Sequence, residues 1–298
     1  MKITGIRVYK TPLPYVDGIY KWGAGNAIEI AQASVVEIET DAGLTGVGEF
    51  TPCGENYIEG YSEGVEAAAR MLAPQLLGQD PRQVYAIERI MDNTILGHAY
   101  AKSPFDNACW DILGQATGQP LWMLLGGKLT DGAPMYRVAP QAAPDEMKHQ
   151  MEKLRDRGYS QFQIKVGADY ISDIERIKQT VPFLKPGEKA FADANQGWTV
   201  DQALSVAKAT KDLDFILEQP CKTYEECQQV RRRIDHIMRL DECITDMRMV
   251  HRVIDQLRKE IDVALGHLVA FIDGAEAVIE KFAHHLRRGL ARRFHLKQ

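Results

Sequence analysis

Lys165, Asp193, Glu218 and Asp241 stand at the ends of four short apolar runs. These are Phe162-Gln163-Ile164-Lys165-Val166-Gly167, then Lys189-Ala190-Phe191-Ala192-Asp193-Ala194-Asn195-Gln196. Asp214-Phe215-Ile216-Leu217-Glu218-Gln219-Pro220 and Ile237-Met238-Arg239-Leu240-Asp241-Glu242 follow. Three carboxylates meeting at one point repel each other and call for a cation between them. Oxygen-only ligation suits a hard ion, Mg²⁺ above all. A lysine beside such an ion can lose its proton more readily and serve as a base. Each residue alone reads as an ordinary polar strand end. Four in register favour a site.

The elements that would bring them together are strands. Each run is strand-length, helical sequence fills the gaps, and the repeat is about 25 residues, the size of a βα unit. Such units predict a parallel sheet or a (β/α) barrel whose C-terminal strand ends open on one face. Ahead of it, Met1 to Leu13 reads as a strand. Ala33 to Thr40 and Leu44 to Phe50 read as a hairpin around the turn signal Asp41-Ala42-Gly43. Helical spacing runs from Gly64 to Leu77 and from Pro81 to Met91. The expected fold class is therefore α/β: an α+β capping domain over residues 1–125, then barrel units over 126–250 that carry the site. Residues 251–298 are expected to form a divergent, helical, basic tail.

Two stretches of the cap are rich in aromatics and read as loops, the first of them mobile: Tyr15 to Asn26, with Tyr20 and Trp22, and Thr51 to Tyr57. If they fold over the strand ends, Tyr15, Tyr20, Trp22 and Tyr57 could pack on a quaternary ammonium by cation–π contact. Plain loop packing is the alternative. Gln163, two residues before Lys165, could donate to a substrate carboxylate, and Asn195 joins it as a candidate substrate contact. Asp106 and Asp111 read as structural acids of a helix rather than metal ligands.

The 298 residues are 45% hydrophobic, enough for a sizeable core, and the formal charge of −5 argues against general nucleic-acid binding. No apolar run has the length of a membrane span, and the N-terminus does not read as a signal peptide. The five cysteines form no CxxC pair and suit free thiols in a reducing, cytoplasmic compartment.

The segment AKSPFDNACWDILGQATGQPLWMLLGG, from Ala101 to Gly127, together with the Lys165, Asp193-Ala194-Asn195, Glu218-Gln219-Pro220 and Asp241-Glu242 series, resembles the enolase superfamily. The likeness is to its mandelate-racemase and muconate-lactonising branch and covers about Met1 to Val250. Within the branch it is to the group acting on hydroxyproline betaine and cis-3-hydroxyproline, as 2-epimerases and dehydratases. The resemblance implies a capping domain over a modified TIM barrel, with Mg²⁺ held by Asp193, Glu218 and Asp241 and with Lys165 as acid/base. It implies a small carboxylate substrate, a betaine among the options, and a homo-oligomer.

Two departures from that pattern stand out. The Lys-x-Lys of many relatives is Gln163-Ile164-Lys165 here. The lysine relatives carry on the sixth strand has no counterpart in Ile261-Asp262-Val263-Ala264-Leu265-Gly266-His267. From Lys281 to Gln298 the chain has basic residues and no acid. This reads as a truncated or reframed C-terminus. It predicts little 2-epimerase activity, with His267 the nearest substitute acid. The rival reading is an impaired member of the family serving as a binding or assembly protein.

Overall fold

A computed structural model describes residues 1–16 and 18–261 of the chain. Two strands open it, β1 (Ile3–Pro14) and the short β2 (Tyr20–Trp22), followed by β3 (Asn26–Ile28), β4 (Ile30–Thr40) and β5 (Thr45–Phe50). Strands β1, β4 and β5 form one antiparallel sheet with β4 in the centre. Its inward face is covered by α1 (Ser62–Leu76), α2 (Val84–Thr94) and α3 (Ala99–Thr117). Val36 and Ile38 of β4 meet Val65 and Leu72 of α1, Ile87 and Met91 of α2, and Phe105 and Ile112 of α3 in one core. Burying each large side chain there is worth about 1.5–3 kcal/mol. Asp111 accepts from the Val47 backbone N–H (3.0 Å), the structural role its helix position suggested.

After the single turn α4 (Leu121–Leu124), the chain builds a five-stranded parallel sheet. Strands β6 (Arg137–Ala139), β7 (Gln161–Lys165), β8 (Lys189–Asp193), β9 (Ile216–Glu218) and β10 (Met238–Arg239) lie side by side in chain order. A helix follows each in turn: α5 (Pro144–Asp156), α6 (Tyr170–Thr180), α7 (Val200–Ala209), α8 (Tyr224–Arg231) and α9 (Met247–Ile261). This is the order of strands in a barrel wall. Alternate residues point away from the site: Phe162 and Ile164 of β7, Ala190 and Ala192 of β8 and Leu217 of β9. They pack on Met147 and Met151 of α5, Ile177 of α6, Val206 of α7 and Val230 of α8. Local sequence starts these helices where the strands need them. Thr199 with Gln202, and Thr223 with Glu226, form reciprocal capping boxes, and Asp169 caps α6.

Three details differ from the sequence expectation. Half of the Tyr15–Asn26 loop is ordered as the β2–β3 hairpin, in which Tyr20 pairs with Ile28 and Trp22 with Asn26. Strand β6 was not foreseen, because three residues after a Gly- and Pro-rich stretch carry no measurable alternation. Asp241 is not a strand residue but lies two positions beyond β10. The sixth-strand neighbourhood, Leu265, His267 and the basic tail lie outside the described residues. Among the described residues, no helix is long and apolar enough to cross a membrane.

Candidate active site

The register of the parallel sheet puts the chemistry in one row. Lys165 stands opposite Asp193, Asp193 opposite Glu218, and Glu218 opposite Arg239. Lys165, Asp193 and Glu218 are all buried. The Lys165 ammonium donates to Asp193 Oδ2 at 2.5 Å and to Asn195 Oδ1 at 3.0 Å. Gln163 donates from Nε2 to Glu218 Oε2 at 3.0 Å, so in this arrangement it serves a carboxylate of the protein itself. Asn195 spans the site, giving its Nδ2 to Glu242 Oε1 at 2.9 Å.

The backbone is bent to aim these groups. Asn195 and Gln219, just beyond the ends of β8 and β9, have φ of 43° and 34°. A non-glycine residue held there costs about 1–3 kcal/mol and marks a position fixed by its surroundings. The bend turns Asn195 back onto Lys165. It lets Gln219 accept from the Asp241 backbone N–H (2.7 Å) and donate to the Cys221 carbonyl (3.0 Å), fixing the loop that carries Asp241 and Glu242. Behind Lys165, buried Asp173 accepts from the backbone N–H groups of Gly167 and Ala168 and from Trp198 Nε1, and pairs with Arg176.

The electrostatics follow from crowding. Burial, then the neighbouring Asp193 charge, pushes Glu218 up to about 7. Burial and Asp193 also raise Asp241, and burial raises Glu242. For Lys165, burial opposes the charge, but Asp193 and a hydrogen bond with Tyr20 outweigh it and hold the ammonium above its usual range. The lysine is thus an acid as it sits. The expected lowering of its pKa requires the Asp193 charge to be engaged elsewhere.

The cap closes over this row with an aromatic ladder. Tyr15 stacks on Tyr20 (5.5 Å), Tyr20 on Trp22 (5.4 Å), and Trp22 meets Tyr57 edge-on (6.3 Å). Tyr20 reaches Lys165, and burial together with the charges of Glu242, Asp241 and Asp193 raises the Tyr57 hydroxyl.

The residues present fit a hard divalent cation in kind. All donors are carboxylate oxygens, they are too crowded for all to ionise comfortably, and Glu242 Oε2 is buried with no hydrogen-bond partner among the described residues. They do not converge as ligands in this arrangement: among the described residues, no three His, Cys, Asp or Glu side chains are disposed to hold one ion. Lys165 occupies Asp193, and Gln163 occupies Glu218. Three residues escaped sequence reasoning. Glu242 looked like a neighbour of Asp241 with no task of its own, and Gln219 and Arg239 gave no signal before the strands were in register.

An α+β cap over a parallel sheet of βα units, with a lysine and carboxylates at the strand ends, defines the class: a capping domain joined to an α/β domain. Residues 24–126 match the model for the mandelate racemase/muconate lactonizing enzyme N-terminal domain, and residues 146–263 match an enolase C-terminal domain-like model. A mandelate racemase/muconate lactonizing enzyme from Roseovarius nubinhibens is 67% identical, with a TM-score of 0.82 over 86% of this chain and 68% of that one. A second structure from that organism, complexed with magnesium, is 37% identical, with a TM-score of 0.80 over 86% and 70%. Cis-3-hydroxy-L-proline dehydratase of Roseibium aggregatum is 47% identical over 82% of this chain and 66% of the relative. The chain belongs to the mandelate racemase/muconate lactonizing branch of the enolase superfamily. It spans about two thirds of the length of the curated relative just described.

Proposed function

We propose that this chain removes the proton α to the carboxylate of a small cyclic amino acid, with Lys165 as the acid/base, and that the outcome is dehydration of a 3-hydroxyproline-like substrate. The observation that carries the reading is Lys165 at the end of β7, buried and bonded to Asp193 and Asn195 in the row that continues to Glu218. Asp193, Glu218 and Asp241 would hold Mg²⁺, which when bound supplies Lewis-acid stabilisation of the charge on the enolate oxygens. Glu242, with its unpartnered oxygen, is the fourth carboxylate at hand.

Once the Asp193 charge is engaged, the main attraction holding the proton on Lys165 is gone and the amine can accept one. The C–H proton passes to Lys165 and its electron pair forms the α,β double bond. In cis-3-hydroxy-L-proline the hydroxyl is cis to the carboxylate and lies on the ring face opposite the α-hydrogen. It leaves as water on a proton taken from solvent at that face, and the Lys165 ammonium returns its own proton to solvent afterwards. Asn195 orients the amine, and Tyr20, Trp22 and Tyr57 keep water from it. The dehydratase of Roseibium aggregatum supports this choice of substrate.

The test is ¹H NMR of cis-3-hydroxy-L-proline and of proline betaine in D₂O, with and without Mg²⁺. Loss of the α-proton signal with elimination is expected for the first compound. Lys165→Ala should slow it by about 10²–10⁴-fold. Exchange without elimination would move the reading to epimerisation, and no exchange in either compound would sink it in favour of a binding role.

A further inference from the structure

Arg239 belongs neither to the proposed ligand set nor to the acid/base. It ends β10, opposite Glu218 of β9. Its guanidinium lies 4.1 Å from the centre of the Phe191 ring, and the Tyr136 ring is 5.8 Å away. Its Nη1 is 3.7 Å from Glu218 Oε2, the oxygen that also receives the Gln163 amide. The side chain is 38% exposed while that of Glu218 is 3% exposed, so the cation borders water and the carboxylate does not.

We propose that Arg239 is a built-in counter-ion of Glu218 that competes with a divalent cation for it, and so sets how tightly the site takes metal. The inference rests on the reading that Asp193, Glu218 and Asp241 hold such an ion. A guanidinium cannot shed its proton at any working pH, and stacking on Phe191 keeps it in place. Lys165 offsets one of the three carboxylate charges and Arg239 a second. With all three carboxylates ionised, a cation arriving there meets a net charge of minus one instead of minus two. It also gains a like charge as neighbour on its most buried pair of ligands.

A packing pillar would behave differently from a competing charge, and substitution separates them. Arg239→Met keeps the length and the contact with Phe191 but drops the charge. Arg239→Lys keeps the charge but loses the planar stack. Arg239→Gln is a second neutral variant should the Met protein fail to fold. Mg²⁺ is titrated calorimetrically into the full chain after chelator stripping and dialysis, with the fold of each variant checked by circular dichroism. The expected result is that Arg239→Met and Arg239→Gln bind Mg²⁺ about 10- to 100-fold more tightly than wild type, and that Arg239→Lys stays close to wild type. Wild-type binding with no gain in Arg239→Met or Arg239→Gln, or an equal gain in Arg239→Lys, overturns the competition and leaves the metal reading standing. Absence of Mg²⁺ binding in every protein overturns both.

Discussion

Burial and the adjacent Asp193 push the Glu218 carboxyl up to about 7, into the physiological range. A carboxyl whose pKa is higher folded than unfolded binds more protons when folded. Its stabilising contribution is therefore complete below the unfolded value near 4.5 and disappears as pH rises through about 7. Asp241 and Glu242 are raised too and act in the same sense, while the raised Lys165 loses its contribution only at far higher pH. In chelator, the protein should lose up to about 3 kcal/mol between pH 5 and pH 8 on account of Glu218. Urea unfolding across that range measures it. Glu218→Gln should flatten most of the slope, and an unchanged slope would place the titrating group elsewhere.

At the scale of elements, the row Lys165, Asp193, Glu218 could be read from sequence because each closes an apolar run of strand length. The five parallel strands then repeat the one register. What could not be read was how the turns beyond those strands hold the side chains. Asn195 is of the type that tolerates αL, but the bend at Gln219 has no local signal, and its conformation is imposed by tertiary bonds. Asp173, in the first turn of α6, ties the β7–α6 turn to Trp198. Two constraints meet on Gly167. Its φ is +92°, and a Cβ there would lie 1.9 Å from the Ala194 carbonyl oxygen. Gly167→Ala should therefore cost about 2–4 kcal/mol, combining backbone strain with displacement of the β8 end. A urea midpoint unmoved within about 0.5 kcal/mol would mean that the two turns are not in contact.

At the scale of the whole molecule, the cap must meet the strand ends for the site to exist. Composition left the aromatic loops open between a lid and plain loop packing, and the point of contact could not be read from it. That point is Gly23, at the tip of the β2–β3 hairpin. A Cβ on it would stand 2.3 Å from the Ala194 carbonyl oxygen and 3.0 Å from Asn195 Cβ. The hairpin is also pinned by the Gln141 backbone N–H donating to the Lys21 carbonyl at 3.3 Å. Since Tyr20 and Trp22 precede Gly23 directly, whatever moves Gly23 moves the ring that touches Lys165 and the buried ring beside Tyr57. The hairpin is three residues to a strand, so lifting it breaks little of either core. Gly23→Ala is thus predicted to separate lid from scaffold. Denaturant stability should change by less than about 1 kcal/mol, Trp22 should become accessible to acrylamide quenching, and α-proton exchange should fall by about 10²-fold through loss of orientation and of water exclusion. Magnesium affinity, which the proposed ligands Asp193, Glu218 and Asp241 would set without the hairpin, should stay the same in calorimetry. Exchange that survives with Trp22 exposed would show that the lid does not order the base, and would leave the alignment of Lys165 to Asp193 and Asn195 alone.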